Sequence, residues 1–328
     1  MVATHRRPSA RWRPHLRHQP AWSQHVITCT PYAELPPALI GQLEAAGLEP
    51  ATVYAAVVRA LEEDVPGVDV TSEATLDPTD VSTADLVARA GGVVAGLDVA
   101  ELVVRAVAGT DADVERPLKD GHEVGRGDVL LTVTGRTADL LTAERTALNF
   151  LCHLSGVATT TARWVAALDG TGARVRDTRK TTPGFRALEK YAVRCGGGVN
   201  HRATLSDQAL VKDNHVLAAG GVVPAYRAVR ERFPDVPVQV EVTTLDQLHE
   251  LLDAGCDQIL LDNMDATSMA EAVEITAGRA RLEASGALDL SRAREVAETG
   301  VDYLAVGALT HSAPVLDIAM DLRPVGTT

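Results

Sequence analysis

The chain has 328 residues and a formal net charge of −13, and hydrophobic residues occupy 46% of its positions while aromatic residues occupy only 3%. This length predicts about two domains, whose cores must be filled mainly by Ala, Val and Leu. The acidic balance argues against nucleic acid as the main partner, and no apolar run approaches the ~18 residues of a membrane-spanning helix.

The first 30 residues contain five Arg, four His and three Pro but no acidic residue. Such a segment buries too little apolar surface to order itself, so residues 1–30 are predicted to form a disordered basic extension. An arginine-rich, acid-poor N-terminus is also typical of a transit peptide. A dispensable extension and a start codon placed too early remain open alternatives.

The next segment, residues 31–144, predicts an α+β domain with turns and packing but no obvious chemistry. Apolar residues at helical spacing alternate with short strand-like runs that Gly-containing turns separate. The predicted helices cover 36–46, 51–64 and 97–108, and the predicted strands lie within 81–90, 93–95 and 112–134.

A long helical pattern follows over residues 137–168, and Ser155 with Gly156 is predicted to break it. Arg145 lies in the first half of this pattern. A helical arginine commonly pairs with a nearby carboxylate on the surface, such as Glu144. The residues alone do not decide between that role and a role in a site.

The segment 174–202 concentrates positive charge inside an acidic protein. It holds eight Lys or Arg residues and His201 against only Asp177 and Glu189, a local surplus of six positive charges. Three consecutive glycines at 196–198 allow a ligand to approach the backbone closely. This composition predicts a receptor for a small polyanion.

Position within this segment separates two groups of cations. Three of them recur every four residues along a predicted helix, and we predict that they form its solvated face; they are Arg186, Lys190 and Arg194. Three others flank turns and glycines, where a surface role explains the charge less well. These candidates for ligand binding are Arg179, Lys180 and Arg202.

From residue 209 the pattern becomes a regular alternation of apolar strands and amphipathic helices, which is typical of a parallel sheet or a (β/α) barrel. The predicted strands in this region are 209–211, 238–240, 258–261, 280–282 and 303–306, and the predicted helices are 222–232, 245–254, 266–277 and 291–299. One further strand, 173–177, and one further helix, 185–194, are predicted in the basic segment that precedes it. Barrel active sites lie where the carboxyl ends of the strands meet. We therefore expect the residues that follow the strands to share one site.

Polar or small residues follow each of the last five predicted strands. They are Lys212, Asp213 and His215; Glu241; Asp262 and Asn263; Glu283, Ser285 and Gly286; and Gly307, Thr310 and His311. A lone Asp after a strand is commonly a helix cap, which is one interpretation of Asp262, but polar or small residues at all five strand ends favour a site. The small-residue loops 285–287 and 307–309 follow the last two strands, where barrels often hold a phosphate on backbone amides.

The predicted chemistry combines cations, two carboxylates and two phosphate-type loops. Glu241 and Asp262 suit Mg²⁺, which typically takes one or two carboxylates together with substrate phosphates and water. Arginine forks grip planar carboxylates. These features predict a phosphorylated sugar or nucleotide with Mg²⁺ and a second, carboxylate-bearing substrate. No GxxxxGK[ST] or GxGxxG motif occurs, which argues against an ATP P-loop and a Rossmann site.

Seven segments together resemble quinolinate phosphoribosyltransferase, the carboxylating nicotinate-nucleotide pyrophosphorylase. In chain order they are TAERTALNFLCHLSG, RDTRKTTPGFRALEKYAVRCGGGVNHR, VKDNH, VEV, ILLDNM, EASG and DYLAVGALTH. The resemblance runs from about Leu43 to the end. It implies an α/β protein with an N-terminal α+β sandwich domain over 31–144 and an incomplete (β/α) barrel of the type II phosphoribosyltransferase kind over 145–312. It also implies that the tail, 313–328, returns to the first domain and that two chains form a homodimer.

The resemblance implies phosphoribosyl transfer from 5-phosphoribosyl 1-diphosphate to quinolinate, with loss of CO₂, in de novo NAD synthesis. The implied quinolinate pocket comprises Thr178, Arg179, Lys180, His201 and Arg202, with Arg145 donated across the homodimer interface. The implied contacts to ribose, diphosphate and Mg²⁺ are Lys212, Glu241 and Asp262, which with Lys180 form the catalytic set. The implied 5′-phosphate site comprises Ser285, Gly286, Ala287, Gly307, Ala308, Leu309 and His311.

Some points stay open at this stage. Ala287 stands where many relatives carry Gly, and a backbone phosphate loop tolerates this if its φ is negative. Lys180, His201 or water could protonate the carbanion that CO₂ leaves behind. Other functions compatible with the residues are a sister enzyme that uses nicotinate, a barrel aldolase with Lys212 as a Schiff-base nucleophile, and a non-catalytic anion-binding protein.

The cysteines predict the compartment. Cys29, Cys152, Cys195 and Cys256 lie far apart and form no CxxC pair. Neither a disulfide framework nor a zinc site is indicated by such spacing. We therefore expect a cytoplasmic protein.

Overall fold

The computed structural model describes residues 27–325. Most of the predicted disordered extension, residues 1–26, lies outside the described residues. Thr30 is already fixed, because its N–H donates to the Ala106 carbonyl at 2.8 Å and its own carbonyl accepts the Tyr54 hydroxyl at 2.8 Å. Folded structure therefore begins slightly before the predicted start near Tyr32.

The described chain has two larger sheets, the first antiparallel and the second parallel, and a third, antiparallel sheet of two short strands, Gly92–Val93 and Glu123–Val124. The helices are α1 (Pro37–Ala45), α2 (Pro50–Asp64), α3 (Val70–Thr75), α4 (Leu97–Ala108), α5 (Thr137–Ala167), α6 (Arg186–Cys195), α7 (Asp213–Ala219), α8 (Val222–Arg232), α9 (Leu245–Asp253), α10 (Ala266–Thr276), α11 (Ala293–Glu298) and α12 (Ala308–His311). The strands are β1 (Val81–Ala88), β2 (Gly92–Val93), β3 (Asp113–Glu115), β4 (Glu123–Val124), β5 (Val129–Arg136), β6 (Arg174–Arg176), β7 (Ala209–Val211), β8 (Val238–Val242), β9 (Gln258–Asp262), β10 (Arg281–Ser285), β11 (Tyr303–Ala305) and β12 (Ile318–Pro324).

The antiparallel sheet has four strands in the order β12-β1-β5-β3. Strand β12 comes from the C-terminal end of the chain and pairs antiparallel with β1, so the last described residues complete the sheet of the N-terminal domain. Helix α4 packs against α5, and its start is capped by Asp120, whose carboxylate accepts the N–H groups of Gly96 and Leu97 at 2.8 and 3.1 Å.

The parallel sheet has six strands in the order β6-β11-β10-β9-β8-β7. The outer strands β6 and β7 do not pair with each other, so the barrel formed by the described residues is incomplete, and the predicted fold class is confirmed. Strand β8 shows how the sequence builds it: Val238, Val240 and Val242 pack on one face, while Gln239 and Glu241 alternate with them. Polar side chains therefore occupy the barrel interior.

Helix α5 runs unbroken for 31 residues, so the predicted break at Ser155 and Gly156 is wrong. The Ser155 hydroxyl accepts the N–H of Ala95 at 3.0 Å. A Cβ atom on Gly156 would lie 2.2 Å from the carbonyl oxygen of Pro314. This glycine permits a close approach of two backbones and does not end the helix.

The periodic patterns do not predict the short helices α3, α7 and α12. These helices have six, seven and four residues, too few for a helical period to emerge. None of the helices within residues 27–325 combines the length and the apolarity needed to cross a membrane.

Candidate active site

A cavity of about 780 Å³ opens at the carboxyl ends of the barrel strands. Predicted site residues form most of its lining: Thr178, Arg179, Lys180, His201, Arg202, Lys212, Glu241, Asp262, Ser285, Gly286, Ala287 and Gly307. The lining also includes Asp213, Asn263 and Glu283, which were expected because they follow strands, together with Leu210, Leu260 and Ala305. Six predicted site residues are outside the lining: Arg145, His215, Ala308, Leu309, Thr310 and His311.

Arg179, Lys180 and Arg202, which we call the cation clamp, lie in this cavity. Burial, followed by the positive charge of Arg179, lowers the pKa of Arg202. The Arg202 Nη1 atom donates to the Gln208 carbonyl at 2.8 Å, which orients the fork. The Arg179 Nε atom is buried without a hydrogen-bond partner among the described residues. Two neighbouring guanidinium groups with free donors suit a planar dianion.

One buried carboxylate, that of Asp177, joins the two halves of the cation clamp. It accepts hydrogen bonds from the Lys190 Nζ atom at 2.5 Å, from the His201 backbone N–H at 2.7 Å and from the Asn200 side-chain amide at 2.7 Å. Lys190 Nζ also donates to the His201 carbonyl at 2.8 Å. Asp177 stands two residues before Arg179 and Lys180, and His201 directly precedes Arg202. The Asp177–Lys190 ion pair therefore fixes the chain segment of Arg179 and Lys180 relative to that of Arg202.

The predicted solvated face of α6 is therefore wrong for Lys190, which is only 4% exposed. It is also wrong for Arg186, which is half-buried and donates to the Thr181 hydroxyl at 3.0 Å and the Ala203 carbonyl at 2.9 Å. Arg194 is exposed as predicted. Helical spacing finds residues that share a face, but it does not tell which face is covered by the loops of the site.

Burial dominates the titration of the Asp177–Lys190 pair. It raises the pKa of Asp177 and lowers that of Lys190, and the attraction between the two charges opposes both shifts. Burying a charged pair costs desolvation free energy that offsets the attraction between its members. The pair therefore contributes to the geometry of the site more than to stability.

Among the polar residues inside the barrel beneath the clamp, the sequence motifs missed Arg176 and Gln239. Arg176 donates to Glu283 Oε2 at 2.7 Å, and the His201 Nε2 atom lies 2.9 Å from Gln239 Oε1. Glu283 was expected after the strand, but it lies within β10 and is 1% exposed. A two-residue period was the available signal, because Gln239 and Glu283 each stand two residues before a cavity-lining residue on the same strand.

The carboxylates predicted to bind metal stand on adjacent strands, β8 and β9. Glu241 Oε2 accepts Lys212 Nζ at 2.6 Å, and Asp262 Oδ2 accepts the Asn263 side-chain amide at 2.8 Å. Asp262 caps no helix, since the N-cap of α10 is Asp265. A Schiff-base lysine needs a free amine to attack a carbonyl, whereas the Lys212 Nζ atom is held by Glu241.

Both predicted phosphate loops border the cavity. Gly286 has φ +129°, and a Cβ atom there would lie 2.6 Å from Asn263 Oδ1, so only glycine fits this position. Ala287 is not among the described residues with positive φ, so it meets the condition under which alanine is expected to be tolerated in the loop. Leu309 is fully buried, so the 307–309 loop can offer a ligand only backbone groups there.

The remaining predicted residues differ in placement. A Cβ atom on Gly307 would lie 3.0 Å from His311 Nε2 and 3.0 Å from Lys180 Cδ, so His311 stands at the rim of the cavity although it does not line it. Arg145 is 65% exposed on α5, with only a long 3.8 Å contact to Glu144. The structure thus leaves the guanidinium of Arg145 facing solvent.

A second cavity of about 600 Å³ lies between α2, α5 and the loop before α6. Its walls include the stacked rings of Phe150 and Phe185, whose centroids are 5.5 Å apart. Charges of both signs, from Arg59, Glu63 and Asp64, surround it. With one arginine against two carboxylates, this lining suits a polyanion less well than the cavity that holds the four cations Arg179, Lys180, Arg202 and Lys212.

The carboxylates fit a metal that the substrate helps to bind. Among residues 27–325 no three His, Cys, Asp or Glu side chains group together as a metal site. Glu241 and Asp262 alone match the habit of Mg²⁺, which takes few protein carboxylates and completes its coordination with phosphates and water.

Comparison with known proteins decides the family. The model for the N-terminal domain of quinolinate phosphoribosyl transferase matches residues 69–155, and the model for its C-terminal domain matches residues 157–321. The chain belongs to the quinolinate phosphoribosyltransferase family. The two family models meet inside helix α5.

Individual relatives agree with this assignment. The nicotinate-nucleotide pyrophosphorylase (carboxylating) of Mycobacterium leprae is 53% identical over 269 residues, which is 80% of this chain and 95% of that protein. The mitochondrial quinolinate phosphoribosyltransferase (decarboxylating) 2b of Nicotiana tabacum is 37% identical and covers 80% of both chains. The crystal structure of NadC from Streptococcus pyogenes is 41% identical, covers 85% of this chain and 99% of its own, and superposes with a TM-score of 0.82.

Proposed function

We propose that the cavity transfers the phosphoribosyl group of 5-phosphoribosyl 1-diphosphate to the ring nitrogen of quinolinate. The products are nicotinate mononucleotide, CO₂ and diphosphate, and the reaction belongs to de novo NAD biosynthesis. The observation that carries this function is that Arg179 and Arg202 share one cavity with Glu241 and Asp262. Quinolinate has two planar carboxylates for arginine forks, and the activated sugar brings phosphates for the opposite side.

Quinolinate lies on the clamp side of this cavity. Arg179 and Arg202 hold its carboxylates, and Thr178 and Lys180 complete the pocket. The Thr178 hydroxyl accepts the Lys180 N–H at 3.0 Å, and the Lys180 carbonyl accepts the Thr310 hydroxyl at 2.8 Å. These bonds fix the backbone of the clamp before the substrate arrives, which lowers the entropic cost of orienting it.

The activated sugar lies on the side of β8 to β11. Its 5′-phosphate binds the backbone N–H groups of the 285–287 and 307–309 loops, with His311 at the rim. Lys212 contacts the diphosphate, and Glu241 and Asp262 face the ribose. Their negative charge stabilises the positive charge that C1 develops as the diphosphate departs.

Glu241 and Asp262 would also hold Mg²⁺ together with the diphosphate. When bound, this ion neutralises charge on the leaving group. No other cofactor is needed for the proposed reaction.

The chemistry proceeds in two stages, transfer of the phosphoribosyl group and then decarboxylation. The bond between C1 of the ribose and the diphosphate oxygen breaks, and the pyridine nitrogen gives its lone pair to C1. The nitrogen becomes cationic, so the bond between ring C2 and its carboxylate can break, leaving its electron pair on C2 while CO₂ departs. A proton on C2 completes nicotinate mononucleotide. The clamp must hold the departing carboxylate no more tightly in the ground state than in the transition state.

A product assay tests this function. The protein is incubated with 5-phosphoribosyl 1-diphosphate, Mg²⁺ and either quinolinate or nicotinate. We expect CO₂ and nicotinate mononucleotide in equal amounts from quinolinate and little product from nicotinate, which lacks the second carboxylate for the clamp. Mononucleotide from nicotinate without CO₂ would instead identify a sister enzyme.

Arg145 extends the proposal to a homodimer. Its side chain faces solvent and is absent from the cavity of its own chain, so it could serve a site only by entering the cavity of a second copy. We propose this exchange between two subunits. Inactive Arg145→Ala protein mixed with inactive Lys212→Ala protein should then regain part of its activity, because some hybrid dimers contain one site with both residues intact.

Hybrid formation needs its own measurement, for which two different affinity tags suffice. Hybrid dimers that form and remain inactive would contradict the exchange of Arg145. Mixing two Lys212→Ala preparations with different tags is the matched control and should give no recovery.

A cytoplasmic location remains part of the proposal. The four cysteines within the described residues are free thiols, as expected of a protein in a reducing compartment. Cell fractionation tests this assignment.

A further inference from the structure

The barrel interior beneath the clamp contains a polar group of four residues that the proposed chemistry does not use directly. A smaller cavity of about 260 Å³ lies on that side of the sheet, with Arg176 and Gln239 in its wall. Glu283 lines both this cavity and the active-site cavity. His201 lines only the active-site cavity, and its Nε2 atom lies near Gln239 and Glu283 of this group. His201 is therefore the link between substrate and barrel interior.

The hydrogen bonds of His201 determine its tautomer. The backbone N–H of Arg202 points at the Nδ1 atom at 2.6 Å. A backbone N–H can only donate, so Nδ1 is the acceptor and the ring proton resides on Nε2. The Nε2–H group then donates to Gln239 Oε1 at 2.9 Å.

Glu283 reinforces this tautomer. Arg176 holds its Oε2 atom at 2.7 Å and itself lies 3.8 Å above the ring of Tyr303. The Oε1 atom is buried, has no hydrogen-bond partner among the described residues, and lies 3.5 Å from His201 Nε2. A carboxylate oxygen in this position favours a proton on the facing nitrogen.

We propose that Gln239 and Glu283 are positioning residues that hold His201 as the Nε2–H tautomer, so that His201 orients Arg202 and does not protonate the substrate. This inference rests on the proposed function. Both ring nitrogens are engaged by the protein, so the ring offers carbon atoms to the cavity. Lys180, an exposed ammonium group in the same cavity, is then the side chain left to protonate C2.

The charges around His201 agree with this role. Glu283 faces the ring from β10, Arg176 faces it from β6 and Lys190 faces it from α6. Burial is the main cause that lowers the pKa of His201, and the two cations add to it while Glu283 opposes it. A lowered pKa favours the neutral ring, and a neutral imidazole with its only proton bonded to Gln239 is a poor acid.

Nitrogen-15 NMR of the whole unliganded protein tests the tautomer directly. The ten histidines are labelled in their rings, and a His201→Gln variant identifies the His201 signals. We expect an unprotonated Nδ1 and a protonated Nε2 throughout the pH range of turnover. A proton on Nδ1, or a doubly protonated ring in that range, would overturn the proposal.

Kinetics of variants test the positioning role. Gln239→Leu and Glu283→Gln should each raise the KM for quinolinate about tenfold, which is ~1.4 kcal/mol, with much smaller changes in kcat and in the KM for the activated sugar. The pH profile of kcat should keep its shape. Arg281→Gln is the matched control, because Arg281 lines the same lower cavity but pairs with Asp302 at the surface.

The His201→Gln variant separates the two roles of the ring. A positioning role predicts a raised quinolinate KM with most of kcat retained. Loss of kcat with an unchanged KM would identify His201 as the acid. Product formation by the wild-type protein is measured independently, so failure of the reaction and failure of this inference are distinguishable.

Discussion

Replacing Lys190 by methionine should test the structure of the site most sharply. The substitution keeps the length and apolar stem of the side chain but removes the ammonium group that bonds Asp177 and the His201 carbonyl. Asp177 is fully buried and keeps two donors, the His201 N–H and the Asn200 amide. Removing one partner of a buried ion pair lowers the free energy of unfolding by about 3–5 kcal/mol. Because two hydrogen bonds to Asp177 remain, we expect a loss of about 3 kcal/mol.

The pH dependence of this loss has a definite sign. Burial raises the pKa of Asp177 in the folded protein, and Lys190 opposes the rise; without Lys190 the pKa rises further. A group whose pKa is raised on folding contributes most stability below its unfolded pKa and loses that contribution as pH rises through the folded value. The deficit of Lys190→Met relative to wild type should therefore shrink as the pH is lowered from neutral through the raised folded-state pKa of Asp177, where the carboxyl becomes protonated.

Chemical denaturation at several pH values, followed by two independent spectroscopic probes, measures this deficit. Lys119→Met is the matched control, because Lys119 is exposed and only its backbone carbonyl is used, by His122. The double variant Asp177→Asn with Lys190→Met should recover part of the loss, since it removes the unpaired charge. A deficit below about 1 kcal/mol that does not change with pH would refute the assigned role of the pair.

The other predictions concern ligand binding, packing and metal. Arg202→Lys keeps the charge but loses the planar fork, so calorimetric titration should show quinolinate binding weakened by about 1.5–3 kcal/mol; unchanged affinity would remove Arg202 from the clamp. Gly156→Ala introduces a Cβ 2.2 Å from a backbone carbonyl of the C-terminal segment and should lower the free energy of unfolding by about 1–3 kcal/mol, whereas Gly172→Ala meets nothing within 4 Å and should be nearly neutral. Chelation of divalent metal should abolish turnover, and Mg²⁺ should restore it. Turnover that persists in excess chelator would argue against a metal role.

Much of the fold follows from local pattern. The alternation of strands and helices after residue 209 predicts the parallel sheet, because each unit must bury one face of a helix on the strands. The cavity follows from that sheet, since residues such as Glu241 and Asp262 stand at carboxyl ends that converge in a barrel. These inferences need only short-range periodicity.

The remaining features depend on contacts that are distant in sequence. Lys190 and Arg194 share a spacing, yet only Lys190 faces the buried carboxylate of Asp177. Gly156 resembles a helix breaker until Pro314 is seen to pack against it. Glu283 resembles a strand-end residue, but the length of β10 places it inside the barrel. Periodicity fixes which residues lie on one face and leaves open what that face meets.

A crystal structure of the protein with quinolinate tests the central claim most directly. The account predicts that the diacid binds in the barrel-mouth cavity, with its carboxylates within hydrogen-bond distance of the Arg179 and Arg202 guanidinium groups and its ring against the carbon edge of His201. Two results would contradict the account. One is quinolinate bound in the second cavity, which Phe150 and Phe185 line, and the other is quinolinate that accepts a hydrogen bond from a His201 nitrogen.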